Sequence, residues 1–432
     1  MLVSGFIGCL AAVAVPASGH AQTVGSTLAP TVVANPMTAE VSPKLIYAAR
    51  GRFDVGFQQF TTRGAQNRRL KLAVWYPTLK SVDGGKATIR YVAANKFDRG
   101  ILNAKEITST GTAVAKAAAD VKSGPFPLVV FSHGYGLSPI AFSTLLEHVA
   151  SHGFVVVGPE HNESFDPSLT GFWKALIDRP ADIRKTIDYA EYLTRPGSPL
   201  AGAINVSRTA VVGHSYGGYT ALAAAGARFD FAAYKARCAP LGADDPLNFF
   251  CAPVIPREAQ MAARAGLRST PKGLWPSLGD ERIKAAISMA GDAYPFNERG
   301  LAQLNVPLLA MGGTVDEGTP YTWGSKLTYD HAASSSKSLV TFPGAGHLLF
   351  VDSCDQMPWT SQFTVYAERF CNDAVWGKKR PLDIVGHYTT AFLLDTLNDD
   401  TAARNTLLAS STPKLTNVEY STNRVQQLAQ GQ

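Results

Sequence analysis

The chain has 432 residues, 46% of them apolar and 17% charged, with 40 Lys and Arg against 34 Asp and Glu. So much core material and so little charge exclude disorder as the main state, and the 38 Gly and 26 Pro follow no three-residue period, which excludes a collagen-like chain. The net charge of +6 is dispersed rather than gathered into a basic stripe, which argues against a nucleic-acid partner.

The first residues carry an apolar run from Phe6 to Val15, then Pro16 and small residues ending in Gly19-His20-Ala21. This run is shorter than the roughly 20 apolar residues needed to cross a bilayer, and with the small residues behind it the segment 1–21 reads as a secretory signal peptide. The expected mature protein is secreted or periplasmic, has no integral membrane segment, and starts with a flexible leader over 22–45. A catalytic domain is expected over 46–400 and a C-terminal tail over 401–432.

Strand-like pieces follow the leader, FDVGFQQF from Phe53 and RLKLAVWYP from Arg69. Next comes an alternation of short apolar runs with helical stretches. PLVVFSH (Pro127 to His133) precedes a helix from about Pro139 to Ser151, and FVVVGPE (Phe154 to Glu160) precedes one from about Pro180 to Leu193. TAVVGH (Thr209 to His214) leads into TALAAAGA; RIKAAISMA, VPLLAMGG and SLVTFPG complete the series. Such an alternation predicts the α/β class, a mostly parallel central sheet with helices on both faces.

At one strand-to-helix junction stands Gly213-His214-Ser215-Tyr216-Gly217, the pattern G-x-S-x-G. A serine on this tight turn is pushed above the sheet edge at a helix N-terminus, where the dipole favours a developing anion, and Ser215 is the candidate nucleophile. In this arrangement acid and base follow in the order Ser, acid, His. Of the three later histidines, His331 falls at the end of a helix and His387 at the C-terminal helix. His347 alone follows a strand, in a turn of small residues, and is the expected general base. Asp316, in Gly312-Gly313-Thr314-Val315-Asp316, is the expected acid, with Asp292 as runner-up and Glu317 as a solvated neighbour. Phe131-Ser132-His133-Gly134-Tyr135-Gly136 is placed to supply one oxyanion donor, the Tyr135 amide, with the Tyr216 amide as the other. His133 is expected to brace that loop by hydrogen bonding, and His161 is left without a role.

Four cysteines remain after the signal, and the sequence-local pairing, Cys238 with Cys251 and Cys354 with Cys371, closes two short loops. No C-x-x-C and no His at ligand spacing points to a metal, and the chemistry read here calls for neither a metal nor an organic cofactor. The stretch 228–278 exceeds what one helix and strand consume. It reads as a lid-like insert pinned by a disulfide, with a plain surface excursion as the alternative. Phe296, Tyr321, Trp323 and Phe350 stand beside the catalytic strand ends as candidate substrate-binding residues.

LKLAVWYP, PLVVFSHGYG, SHGFVVVGPEH, RPADIRKTIDYAEYL, VVGHSYGGYTALAAA, DERIKAAISMAGD, VPLLAMGGTVDEGTP and PGAGH together resemble the α/β-hydrolases of the dienelactone-hydrolase-like and platelet-activating-factor-acetylhydrolase-like kind, and more distantly bacterial cutinase-type polyesterases. The resemblance implies the α/β-hydrolase fold and ester hydrolysis. Ser215 occupies the place where dienelactone hydrolases carry Cys, so that particular activity is not implied. The acetylhydrolase branch would put the acid at Asp292; the G-T-x-D-x-x-T-P run from Gly313 favours Asp316, as in the polyesterase branch. The expected activity is a serine carboxylesterase acting through a Ser-His-Asp triad and an acyl-enzyme on short or medium acyl or aromatic esters, polyester oligomers included. The alternatives are a phospholipase A2 or acetylhydrolase-type lipid deacylase, a peptidase, or an acyltransferase on the same triad.

Overall fold

Two antiparallel strands, β1 (Asp54–Arg63) and β2 (Arg69–Thr78), carry the chain into the sheet. Early in β2 the residues alternate, Arg69 and Lys71 out, Leu70 and Leu72 in; from Leu72 onward every residue is buried on one face or the other. This is the change of pattern expected where a strand passes from a half-open edge into a sheet covered on both sides. The computed structural model describes residues 45–79, 88–97, 102–163, 168–362 and 367–425. The stretches read as signal peptide and leader lie, but for Leu45, outside the described residues.

A small hairpin, β3 (Ile89–Ala94) with β4 (Glu106–Gly111), stands apart from the main sheet, and β5 (Val114–Ala115) joins its edge. The alternation then runs as β6 (Phe126–Ser132), α1 (Ser143–Ser151), β7 (Val155–Glu160), α2 (Phe172–Leu193), β8 (Ile204–His214) and α3 (Tyr216–Ala224). The insert forms α4 (Phe231–Cys238), α5 (Asn248–Cys251) and α6 (Glu258–Arg264). It is followed by β9 (Ile283–Met289), α7 (Asn297–Leu301), β10 (Leu308–Gly313), α8 (Ser325–His331), β11 (Lys337–Phe342), α9 (Ala367–Cys371), α10 (Lys379–Asn398), α11 (Thr401–Thr406) and β12 (Glu419–Thr422). The ten-stranded sheet has the order β12-β11-β10-β9-β8-β6-β7-β2-β1-β5, with β7, β6, β8, β9, β10 and β11 parallel. Two cores cover its faces. One is built with α1 and α10, around residues such as Phe142, Leu145, Val385 and Phe392; the other with α2 and α3, around Leu176, Ile183, Tyr219 and Leu222. The mostly parallel sheet between helices is the α/β-hydrolase architecture that the strand pattern predicts.

Helix α2 departs from expectation. Pro180 suggests a start, yet the helix begins eight residues earlier and holds Pro180 in its interior. A proline there leaves the carbonyl four residues back, that of Leu176, without its N–H donor. Tyr219 Oη of α3 donates to the Leu176 carbonyl at 2.7 Å, so packing against the neighbouring helix satisfies the group that the proline orphans. The stretch read as a C-terminal tail supplies α11 and the edge strand β12, antiparallel to β11. Both disulfides pair as the sequence order suggests, Cys238 with Cys251 and Cys354 with Cys371. No helix among the described residues is long and apolar enough to cross a membrane.

Candidate active site

Ser215 sits between β8 and α3 with φ 57° and ψ −124°, a backbone conformation that costs a non-glycine residue energy and survives only where its surroundings enforce it. The enforcement is steric. A Cβ on Gly217 would lie 1.9 Å from the Ser132 carbonyl oxygen, and one on Gly213 would lie 2.0 Å from that of Gly217. The first turn of α3 therefore presses directly on the ends of β6 and β8, which lifts the serine out of the sheet. Ser215 N donates to the Met289 carbonyl of β9, 2.9 Å, and the Ser215 carbonyl receives Gly218 N at 2.8 Å.

His347 follows β11 across the turn Gly344-Ala345-Gly346, and its Nε2 lies 2.8 Å from Ser215 Oγ. Its Nδ1 lies 2.8 and 2.9 Å from the two oxygens of Asp316, just beyond the end of β10. A carboxylate only accepts, so in the neutral ring the proton is on Nδ1, and Nε2 is left to accept from the serine hydroxyl. Asp316 is held in turn by the amides of Gly318, 2.9 Å, and Thr319, 2.6 Å. The Gly318 backbone lies against the imidazole, where a Cβ would stand 2.6 Å from the ring. Burial would depress the His347 pKa, but the adjoining Asp316 carboxylate, with Glu317 and Asp292 adding to it, outweighs burial and holds it above its ordinary value.

The structure thus brings Ser215, His347 and Asp316 into one hydrogen-bonded chain and leaves Asp292 out of direct contact with the imidazole. Asp292 is buried and receives Thr319 Oγ1 at 2.6 Å. Burial pushes its carboxyl up to about 7 despite that bond, so Thr319 bridges the two acids, its amide on Asp316 and its hydroxyl on Asp292. Glu317 is more than a solvated neighbour: it accepts from the His347 amide, 3.3 Å, and pairs with Arg369. His214 packs behind the site and hydrogen-bonds through Nε2 to the His347 carbonyl at 3.0 Å.

A second chain, Ser132 Oγ to His161 Nε2 and His161 Nδ1 to Asp182 Oδ2, each 3.0 Å, has the same residue types. All three of its side chains are buried, so no substrate reaches that hydroxyl. His161 belongs to the framework.

Of the residues expected to touch substrate, Phe296 and Phe350 do not. Both have 0% exposure: Phe296 stacks on Tyr219 at 5.0 Å in one core, and Phe350 packs against Phe342 and His214 in the other. They fill volume beneath the strand ends rather than lining an open wall. Trp323 and Tyr321 are partly exposed; Trp323 meets Tyr294 and Phe250 of the insert side, with the Arg237 guanidinium 5.1 Å over its ring, while Tyr321 Oη pairs with Thr341 Oγ1. Tyr135 packs against Phe172 and Tyr216. The insert is firmly seated, with Phe231, Tyr234, Phe250, Met261 and Trp275 buried and Arg264 of α6 forked onto Asp178 of α2, both bonds 2.7 Å.

This architecture with a serine on the β8 to α3 turn defines an α/β-hydrolase. The sequence comparisons give its relations: the chlorophyllase family matches residues 92–246. The chain is 32% identical over 139 residues to chlorophyllase-1 of Citrus unshiu, covering 29% of this chain and 39% of that one. It is 23% identical over 193 residues to platelet-activating factor acetylhydrolase of Cavia porcellus, covering 35% and 42%, and 31% identical over 112 residues to cutinase est1 of Thermobifida alba, covering 26% and 34%. These matches span about two fifths or less of the curated relatives' lengths. Among solved structures, a ferulic acid esterase from Streptomyces cinnamoneus superposes with TM-score 0.53 at 21% identity, covering 88% of this chain and 98% of that one, which shows the shared fold. Acetylhydrolase and cutinase kinship agree with the resemblance read from the motifs; chlorophyllase was not legible in them.

Proposed function

We propose that this protein is a serine carboxylic ester hydrolase, exported from the cell, with Ser215 as nucleophile, His347 as general base and Asp316 as the acid that orients it. The hydrogen-bonded line from Ser215 Oγ through the imidazole to Asp316 carries this reading. In the first step His347 Nε2 takes the hydroxyl proton as Ser215 Oγ attacks the ester carbonyl. The tetrahedral oxyanion is received by the amides of Tyr135 and Tyr216, and the protonated imidazole then gives its proton to the departing alcohol. Water repeats the sequence on the acyl-enzyme, returning the acid and the free serine. The chemistry uses no group beyond the side chains and amides named. Hydrolysis is what the name of the acetylhydrolase relative states. Two disulfides suit an oxidising compartment. The insert over 228–278, docked through its own buried aromatics, serves as a fixed wall over the acid side of the site, with Trp323 and Tyr321 the side chains that meet substrate. The proposed catalytic domain extends from residue 46 through β12, since the stretch read as tail pairs with β11.

Ser215→Ala should abolish turnover of a p-nitrophenyl ester and labelling by a fluorophosphonate while leaving the melting temperature nearly unchanged. Turnover retained by the purified variant at the wild-type rate refutes the assignment.

A further inference from the structure

Beside the site lies a buried charged cluster that the sequence reading did not single out. Arg179 of α2, 0% exposed, donates from one guanidinium nitrogen to the His133 carbonyl at 2.6 Å and from another to the Gly134 carbonyl at 3.3 Å. The second of these nitrogens also pairs with Glu163, and the guanidinium carbon stands 5.0 Å from the centre of the Tyr216 ring.

His133 completes the arrangement, and its tautomer follows from its partners. The His161 amide, which can only donate, points at His133 Nε2 from 3.1 Å, and Lys96 Nζ lies 3.3 Å from the same atom. Nε2 is therefore bare, and the ring proton sits on Nδ1, 2.7 Å from the Gly134 carbonyl. Burial, together with the Lys96 and Arg179 charges, lowers the His133 pKa well below its ordinary value and keeps the ring neutral. The Gly134 carbonyl thus receives three donors, the Leu137 amide of its own turn at 3.2 Å and, from the protein interior, His133 Nδ1 and Arg179. In a trans peptide the carbonyl and the following N–H point in opposite directions, and the Gly134-Tyr135 peptide is trans. Pinning the carbonyl inward turns the Tyr135 N–H outward. The loop passes directly beside the nucleophile at that point: a Cβ on Gly134 would stand 3.5 Å from Ser215 Cβ.

We propose that Arg179 is a positioning residue of the oxyanion hole, which aims the Tyr135 amide by holding the His133 and Gly134 carbonyls and sets its distance from the Tyr216 amide by stacking on the Tyr216 ring. The inference rests on the esterase reading above. A fork is required because two carbonyls on successive residues and an aromatic face must be met at once by one planar group, which a lysine ammonium cannot do.

The test compares wild type with Arg179→Ala and Arg179→Lys on a p-nitrophenyl ester and on its thionoester, whose larger, weakly accepting sulfur gains little from aimed amides. Losing one oxyanion donor outright costs about 10²- to 10³-fold, so a mis-aimed donor should cost Arg179→Ala about 10- to 10²-fold in kcat with KM within about twofold. The oxygen-ester loss should exceed the thionoester loss, guanidinium ion should restore part of the Arg179→Ala rate, and Arg179→Lys should keep the charge yet fall short of wild type. A merely structural role would lower both esters equally and give no guanidinium response; that result, or kcat within about twofold of wild type in a folded variant, overturns the proposal. Should Arg179→Ala fail to fold, the ester-to-thionoester ratio of Arg179→Lys decides in the same way. Ser215→Ala run alongside keeps the two readings apart, since its activity at the wild-type rate would defeat the hydrolase assignment itself, whatever the Arg179 variants do.

Discussion

Two buried carboxylates lie near one imidazole, and what separates them is which one is bonded to it. Asp316 contacts His347 Nδ1 through both oxygens, whereas Asp292 reaches the pair only through Thr319. The groups around Asp292 include Thr319, His347, Asp316, Arg179 and the buried Tyr216, Tyr234 and Tyr294, and burial leaves its carboxyl near 7, so it is largely protonated in mildly acidic solution. On the proposed mechanism activity requires neutral His347, whose pKa Asp316 holds above the ordinary histidine value against the opposing effect of burial, so kcat/KM should rise with pH through a midpoint above about 6.5. Asp316→Asn should lower kcat by about 10³- to 10⁴-fold and move that rise to lower pH. Asp292→Asn should leave the rate within about tenfold. Its effect belongs to stability: a carboxyl whose folded pKa lies above its unfolded one makes the native state lose stability as pH climbs from about 4 to about 7. The melting-temperature advantage of Asp292→Asn over wild type should therefore be larger at pH 8 than at pH 5. Equal kinetic losses in the two variants would remove Asp316 from the orienting role.

The elements show what could be read in advance and why the rest could not. The strands β6 to β11 and the G-x-S-x-G turn announce themselves because each is a continuous apolar run or a run of glycines, local signals that survive without knowledge of neighbours. His347 is legible from its place after a strand in a turn of small residues, Asp316 from its strand end and the G-T-x-D-x-x-T-P resemblance, and the folded chain sets the two in contact. Arg179 has no such signal: it lies in a helix whose start Pro180 disguises, and its partners His133 and Gly134 are more than forty residues away. Phe296 and Phe350 mislead for the opposite reason, since an aromatic beside a strand end can as well fill the core as line a pocket. The disulfides divide the same way, alike in sequence and different in what they hold. Cys238–Cys251 joins α4 to α5 within the insert, while Cys354–Cys371 anchors the segment whose Arg369 pairs with Glu317 and whose Asp373 accepts from Gly346, both at the His347 turn. Each closes a loop of 13 or 17 residues, worth about 3 kcal/mol in the chain-entropy view. Replacing both cysteines of either pair by Ser should lower the unfolding free energy by about that amount. Only loss of Cys354–Cys371 should also depress kcat on small esters, and loss of Cys238–Cys251 should show in selectivity among bulky ones. Steady-state kinetics on a short and a bulky ester, with urea melts, separate these outcomes.

At the scale of the molecule, residues 419–422 complete the sheet whose β11 runs into the His347 turn. Short, half-exposed Glu419–Thr422 offers no apolar run, which is why it read as tail, yet it pairs with β11 from Ser338 to Thr341, the strand that runs into the His347 turn. Its hold is distributed: Tyr420 stacks on Tyr388 of α10 at 5.2 Å and donates through Oη to the Leu407 carbonyl, Asn423 closes onto Lys337 and Ser334, and Arg424, its side chain 5% exposed, pairs with Asp395. Deleting residues 416–432 would bare the β11 edge and leave Asp395 with Arg404 alone. Asp395 then loses the better covered of its two cations, and an uncovered edge strand invites pairing with a second chain. The truncated protein should therefore melt well below the full chain and associate as concentration rises, with the activity of its monomeric fraction falling as the His347 turn loosens. Thermal melts together with sedimentation at two concentrations check this; unchanged melting and a monomer at both would mean that β12 is an ornament on a sheet already complete at β11.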